Sequence, residues 1–247
     1  MLPSLSVVIP AYNEESRLPA SLEKVAQYLT KNVQPPSEIL VVNDGSSDGT
    51  FEIARLSAAA LTTEGLRVTV LDNGRNRGKG YSVRHGVTQS RYGWVLITDA
   101  DLSAPIEECA QLFAAVERQG CDVAIGSRAI DRSLIGVHQS SFREMMGRAF
   151  NVAVRIGAGL PFKDTQCGFK LFSDSAARDV FSRQLLEGFG FDVEVLYLAR
   201  RLGYQVAEVP VRWNHCEGTK VRMFSGADAF LDILRVRKND WTGKYSK

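Results

Sequence analysis

The chain has 247 residues, 45% of them hydrophobic and 23% charged, which is the composition of an ordinary globular α/β domain. A formal net charge of +2, with no dense basic stripe interleaved with aromatics, excludes nucleic acid as a partner. No apolar run approaches the ~18 residues that cross a bilayer, and the sequence opens on a strand-like segment rather than a secretory leader, so a cytoplasmic location is expected.

Short apolar runs at residues 5–10, 38–43, 66–71, 94–98 and 122–126 alternate with amphipathic stretches at 14–29, 50–61, 80–90 and 106–119. Strands this apolar, separated by helices, predict a mostly parallel sheet covered on both faces, a Rossmann-like α/β fold. Beyond residue 132 the alternation loosens. The pattern there predicts a helix over 141–156, a turn at 157–164, a strand at 167–172 and a short helix at 174–181. A longer helix at 191–202, a strand at 205–213 and a last helix at 226–238 follow. No repeat, low-complexity tract or linker interrupts the chain, so a single domain over 1–247 is expected. Cys109, Cys121, Cys167 and Cys216 lie far apart without metal-site spacing and read as reduced, mostly buried thiols.

In parallel sheets ligands sit outside the carboxyl ends of the strands. The polar clusters of this chain fall at those ends: residues 11–15, 43–50, 73–80, 98–103 and 126–132. The strongest signal is Asp99-Ala100-Asp101, directly after Trp94-Val95-Leu96-Ile97-Thr98. Two carboxylates so close raise one another's pKa unless something neutralises them, and a divalent cation lets both stay ionised. Hard oxygen ligands suit Mg²⁺ or Mn²⁺, which would also hold a diphosphate. The first strand runs into Pro10-Ala11-Tyr12-Asn13-Glu14-Glu15, without the GxGxxG of a dinucleotide-binding oxidoreductase. In the next cluster Asp44 suits a hydrogen bond from a nucleobase N–H, and Asp48 suits a helix cap. Lys79, between Gly78 and Gly80, combines backbone room with a charge suited to phosphate. Arg128 offers a planar fork either to an anionic ligand or to a structural ion pair, with Arg132 a second cation nearby. Asp164 fits two roles, orienting or deprotonating an acceptor, or capping a turn. His85, His138 and His215 sit in no metal or triad spacing.

Four motifs in order, VVIPAYNEE, VVNDGSSDGT, NRGKG and ITDADLS, resemble glycosyltransferase family 2, whose catalytic domain has the GT-A fold. The later segments GSR, DTQCGFKLF, FDVEVLYLARRLG and EVPVRW are similar to polyprenyl-phosphate sugar synthases. DADLS and the stretch from Trp213 to Lys220 look most like dolichyl-phosphate β-glucosyltransferases. Mannose-transferring relatives usually carry Gln where this chain has Ser103, so the resemblance leaves a third protein metal ligand open. The eukaryotic glucosyltransferases also carry an N-terminal membrane helix, which has no counterpart in this sequence.

Carried over position by position, the resemblance implies nucleotide-sugar contacts at Pro10, Ala11, Tyr12, Glu14, Asp44, Lys79 and Asp99, with Lys220 closing over the phosphates. It implies Asp101 as principal metal ligand beside Asp99, Arg128 and Arg132 toward an acceptor phosphate, and Asp164 and Gln166 near the sugar. Residues 1–132 would then form a nucleotide-sugar-binding half, and 133–247 an acceptor-binding, site-completing half. The expected activity is inverting transfer of a hexose, glucose from UDP-glucose foremost, to a dolichyl or polyprenyl phosphate. Such an acceptor is already anionic near neutral pH and needs no strong base. A saccharide hydroxyl acceptor would need one, with Asp164 or Asp192 the candidates. Mannose transfer from GDP-mannose to the same lipid and a non-enzymatic sugar-nucleotide sensor are the other readings. A lipid acceptor calls for a peripheral membrane protein. One candidate surface combines Phe142, Met145, Met146, Phe150, Val154 and Ile156 with Arg143, Arg148 and Arg155. The other combines Phe230, Leu231, Ile233, Leu234 and Trp241 with Arg235, Arg237 and Lys238.

Overall fold

The computed structural model describes residues 1–137, 141–216 and 225–246. Its first half alternates strictly: β1 (Leu5–Ala11), α1 (Leu18–Asn32), β2 (Ser37–Asn43), α2 (Thr50–Leu61), β3 (Leu66–Asp72), α3 (Lys79–Gln89), β4 (Trp94–Ile97), α4 (Cys109–Gln119) and β5 (Val123–Ser127). Then follow β6 (Ile135–Val137), α5 (Ser141–Gly157), β7 (Lys170–Ser173), α6 (Asp174–Arg183), α7 (Phe191–Arg201), β8 (Val206–Pro210), β9 (Trp213–Asn214) and α8 (Ser225–Trp241).

Seven strands form one sheet in the order β3-β2-β1-β4-β7-β5-β8, parallel except for β7, which runs against both β4 and β5. All seven residues of β2 are buried, as a strand covered on both faces requires. Alternation along each strand divides the core in two. Val7, Ile9, Ile39, Val41 and Leu96 face α1 and α4, while Val8, Leu40, Val42, Val95 and Ile97 face α3, α6 and α7. The outer edge of β3 is blunted locally, because Thr63 and Thr62 hydroxyls accept the Leu66 and Val68 N–H groups at 3.2 and 3.1 Å.

Three expectations shift. The first helix starts at Leu18 instead of 14, because the Glu14 carbonyl accepts from the Arg17 and Leu18 N–H groups and makes residues 14–17 a turn. The strand expected at 167–172 begins only at Lys170 and runs to Ser173. The strand expected at 205–213 breaks into β8 and β9 where Arg212 turns to pair with the buried Glu108. β9 then pairs with β6, a strand that periodicity did not reveal. Among the described residues no helix is long and apolar enough to cross a membrane. Lys220 and His138 lie outside the described residues.

Candidate active site

The strand order reverses at β1: β2 and β3 lie to one side, β4 to the other. β1 and β4 pair only as far as Val8↔Ile97, while β1 runs on to Ala11 against Asn43 of β2. Such a switch point leaves a crevice at the carboxyl ends. Into it lead Pro10-Ala11-Tyr12 from β1, Asp44 from β2, Lys79 from α3 and Asp99-Ala100-Asp101 from β4. β7 runs the other way, so its entry, Gly168 to Lys170, meets the same end of the sheet as Arg128 leaving β5.

The β1 and β2 loops lock together. Asn13, at φ +55°, accepts the Ser47 N–H on its Oδ1 at 2.8 Å and donates its own N–H to Ser46 at 2.9 Å. Asn tolerates this left-handed conformation better than most residues. Glu15 accepts the Gly49 N–H at 2.7 Å, and Glu14 pairs with Arg17. Tyr12 stays 39% exposed beside the crevice. Asp48 takes the Thr50 N–H at 3.0 Å, although the N-cap position of α2 itself is Gly49.

Asp44 holds a loop. Its buried carboxylate accepts Asn73 Nδ2 and the Arg77 N–H on one oxygen and the Gly78 N–H on the other, at 2.8, 2.9 and 2.9 Å. It therefore shapes the loop before Lys79, a task that engages the oxygens expected to meet a base. His85 Nδ1 holds Asn73 Oδ1 at 2.8 Å and extends this network. The room beside Lys79 is also filled. A Cβ on Gly78, whose φ is +99°, would lie 2.5 Å from the Glu187 carbonyl oxygen, and one on Gly80 would lie 2.6 Å from that of Leu186. These glycines admit a neighbouring chain segment, not a ligand backbone.

Lys79 Nζ reaches Asp99 Oδ1 at 2.5 Å. Burial would lower the lysine pKa, but Asp99 more than offsets it and keeps the ammonium charged. Burial would likewise raise Asp99; Lys79 above all, with Lys170 and Arg128, holds its carboxyl below the ordinary value instead. Gly168 sits tight against the same carboxylate, for a Cβ there would fall 2.2 Å from Asp99 Oδ2. Asp101 is half-buried and accepts the Ser103 N–H at 2.9 Å. Leu102 between them takes φ +47°, strain of about 1–2 kcal/mol that this turn sustains to present both carboxylates. Among the described residues no three His, Cys, Asp or Glu side chains are grouped to hold a metal. Asp101 with Asp99 still fits a hard divalent ion of the kind bound by one or two carboxylates plus substrate phosphates and water.

The far wall carries charge pairs that the sequence left open. Arg128 forks onto Asp164, Nε to Oδ2 at 2.7 Å and Nη2 to Oδ1 at 2.9 Å, and its backbone N–H adds a third bond at 3.0 Å. Asp164 is 2% exposed, and although burial would raise its pKa, Arg128 holds it below the usual carboxylate range. A carboxylate so engaged is a poor proton acceptor, which corrects the expectation of Asp164 as a base. Asp192 is likewise occupied, buried in an ion pair with Lys170. Lys170 also donates to the Cys167 carbonyl at 2.6 Å. Sequence reasoning assigned Lys170 nothing, although a lysine between Phe169 and Leu171 in an apolar strand was a signal. Gln166 donates its N–H to Asp164 at 3.2 Å, and its buried Nε2 has no acceptor among the described residues. Arg128 also lies over Trp213, 5.3 Å from the ring centre, and Trp213 stacks on His215. Arg132 is exposed, opening a short turn to Leu134. Cys109, Cys121 and Cys167 are buried, and burial pushes Cys167, in this wall, up to about 11.

Comparison with known proteins agrees with this geometry. The family model "Glycosyl transferase family 2" matches residues 6–181. The chain belongs to glycosyl transferase family 2. It is 36% identical to a dolichyl-phosphate β-glucosyltransferase of Drosophila melanogaster, covering 96% of this chain and 76% of that protein. To the Homo sapiens protein of the same name it is 35% identical, over 98% of this chain and 77% of the relative. Solved structures give the fold. Mannosyl-3-phosphoglycerate synthase from Rubrobacter xylanophilus superposes with a TM-score of 0.69 at 16% identity, covering 98% of this chain and 75% of that one. Glucosyl-3-phosphoglycerate synthase from Mycobacterium tuberculosis, crystallised with Mn²⁺, UDP and glucosyl-3-phosphoglycerate, gives 0.65 at 18%, covering 95% and 78%. The GT-A expectation therefore stands.

Proposed function

We propose that this chain transfers glucose from UDP-glucose to a dolichyl or polyprenyl phosphate, with inversion at the anomeric carbon. One observation carries the choice of acceptor. Both carboxylates suited to serve as a base, Asp164 and Asp192, are buried in ion pairs with Arg128 and Lys170. A hydroxyl acceptor must lose a proton, whereas a phosphate monoester is already anionic near neutral pH. In the proposed reaction a phosphate oxygen bonds to the anomeric carbon as the bond to the UDP oxygen breaks, and UDP departs with the electron pair. The relatives named dolichyl-phosphate β-glucosyltransferase support glucose as the sugar.

Residues 1–132 carry most of the donor contacts, and 133–247 form an acceptor-binding half that also completes the site. Tyr12 and the backbone at Pro10 and Ala11 flank the nucleotide; Glu14 and Asp44 fix the loops around it. Lys79 balances the diphosphate; Lys220, assigned to the same group by the resemblance, lies outside the described residues. Mg²⁺ or Mn²⁺ on Asp101 and Asp99, when bound, neutralises charge on the departing diphosphate. Arg128, with Nε and Nη2 on Asp164, keeps Nη1 for an acceptor phosphate, and Arg132 adds charge at its approach. Gln166 offers its unengaged Nε2 to a sugar hydroxyl. A panel of UDP- and GDP-sugars tested against a short polyprenyl phosphate, read by mass spectrometry of the lipid, should yield only the glucosylated lipid from UDP-glucose. Efficient transfer to a water-soluble saccharide with none to the lipid would overturn the proposal.

The acceptor's tail requires the site to work at a membrane surface. Helices α5 and α8 suit this, with Met145, Met146 and Ile156 on one, and Leu231, Leu234 and Trp241 on the other, 41–92% exposed. Val154 and Ile233, expected on that surface, are buried in the core instead. The side chains of Phe142, Arg143, Arg148, Phe150 and Phe230 lie outside the described ones. Arg155, Arg235, Arg237 and Lys238 would each add roughly 1 kcal/mol at an anionic surface. Sedimentation with anionic liposomes at low salt, and partial release at high salt, is the expected result.

A further inference from the structure

Between α6 and α7, residues 184–190 lie against the loop that carries Lys79, and side chains from both sides knit the two together. The Glu187 carbonyl accepts the Tyr81 N–H at 3.1 Å, and Gln184 Nε2 donates to the Gly80 carbonyl at 2.9 Å. The Glu187 carboxylate joins Arg77 at 3.0 Å to Arg84 at 3.5 Å, and both guanidiniums lie over the Tyr81 ring. Carbonyls of Leu186, Glu187 and Gly188 occupy the space that any Cβ at Gly78 or Gly80 would need. Lys79 therefore cannot shift without this segment shifting too.

What fixes the segment is Glu194, in the first turn of α7. Its Oε2 accepts the Leu185 and Leu186 N–H groups at 3.1 and 2.8 Å. Its Oε1 accepts the Tyr245 hydroxyl at 2.6 Å, and both residues are fully buried. Among the described residues no cation pairs directly with this carboxylate, unlike Asp164 or Asp192. A buried carboxylate without a counter-ion costs stability, so an apolar side chain would serve packing better. Its geometry is useful for one thing, which is holding two consecutive backbone N–H groups that face inward.

We propose that Glu194 is a positioning residue for Lys79, acting through residues 184–190 to aim the lysine at Asp99 and at the donor diphosphate. This rests on the reading of Lys79 as a donor-phosphate group. The chain of contacts runs from Tyr245 to Glu194, to Leu185 and Leu186, to Gly78 and Gly80, and ends at the Lys79–Asp99 pair. α7 thus steadies the cationic side of the site twice, since Asp192 in the same turn holds Lys170.

The test compares UDP with UMP binding by titration calorimetry, because only the diphosphate engages the lysine. Lys79→Ala should reduce the preference for UDP about tenfold, as loss of one charged hydrogen bond would. Glu194→Leu should reduce it similarly, and the double variant should lose little more, which marks the two as one unit. Glu194→Gln keeps an oxygen for the two N–H groups and should retain most of the preference. If Glu194→Leu weakens UDP and UMP equally, or adds fully to Lys79→Ala, Glu194 is only structural and the proposal fails. Should that variant not fold, amide exchange in the wild type decides. UDP should slow exchange at Leu185, Leu186 and Tyr81 together, and no change at Leu185 and Leu186 would overturn the idea. A wild type that does not prefer UDP to UMP would refute the donor reading itself, a distinct failure.

Discussion

On the β1–β4 side of the crevice, loops are held by short side chains that accept backbone N–H groups: Asn13 from Ser47, Glu15 from Gly49, Asp44 from Arg77 and Gly78. On the β5–β8 side Glu208 accepts the Lys163 and Asp164 N–H groups, but most of the task falls to charge against charge: the buried pairs Arg128–Asp164 and Lys170–Asp192, and the more exposed Arg212 on Glu108. The difference has consequences for stability. An acceptor for a backbone N–H contributes about 1 kcal/mol, and its loss leaves a small dipole unpaired. Removing one member of a buried ion pair strands a full charge and costs about 3–5 kcal/mol. Apart from the Lys79–Asp99 pair, the β1–β4 side is thus built from many modest ties, while the β5–β8 side leans on a few strong ones.

Asp101 belongs to neither system, since the hydrogen bond it accepts closes its own turn. Asp101→Ala should therefore leave the melting temperature nearly unchanged while lowering transfer by roughly 10³-fold or more. EDTA should impose a comparable loss on the wild type, restored by Mg²⁺ or Mn²⁺. Turnover that persists in EDTA would sink the metal assignment and make Asp101 one more loop tie.

The contrast between the halves is sharpest at Asp164. Asp164→Asn should destabilise by about 3 kcal/mol at neutral pH, by leaving Arg128 without its partner. The pH dependence has a definite sign. The folded-state pKa of Asp164 is depressed, so its stabilisation is present above the ordinary carboxylate value of ~4 and is lost as pH falls below it. Thermal melts should show the wild type losing its advantage over Asp164→Asn below pH ~4. A constant difference across the acid range would mean that the pair contributes no linkage. Gly168→Ala touches the junction of the two halves, where a Cβ would displace the Asp99 carboxylate. A shift near 1 Å should lower turnover by about 10²-fold with a smaller effect on folding.

This same contrast explains what could be read from sequence. Every residue but proline offers a backbone N–H, so a cluster of Asn, Asp, Ser and Gly after an apolar run is sufficient by itself to form a loop. That is why the β1, β2 and β4 ends, with Asp99 and Asp101, were legible. An ion pair instead requires a particular distant partner, and one sequence does not name it. Arg128 and Asp164 are 36 residues apart, Lys170 and Asp192 22. Each was visible singly as a charged residue, but the pairing that disqualifies both acids as bases appears only in three dimensions. Asp44 is ambiguous for a related reason. An acceptor at a strand end suits a ligand or a loop equally, and only the position of Arg77 and Gly78 decides between them.

The smallest expected effect tests whether the donor-side ties are individually modest. Asn13 combines a left-handed backbone with a side chain that accepts from Ser47. Asn13→Ala loses the acceptor and keeps a Cβ at φ +55° without asparagine's tolerance of that conformation, for a combined cost of about 2 kcal/mol. Asn13→Gly loses the same acceptor but relaxes the backbone, so it should cost about 1 kcal/mol. Both variants should bind UDP somewhat more weakly, because the loop following Pro10 and Ala11 loses one of its anchors, while the Ser46 hydroxyl still accepts the residue 13 N–H. Urea unfolding provides the measurement, with the gap between the two variants isolating the backbone contribution. Equal destabilisation by Ala and Gly would show that the left-handed turn adjusts freely. A loss as large as that of Asp164→Asn would show that the β1 loop is as strongly determined as the ion-paired wall, and the distinction between the halves would then fall.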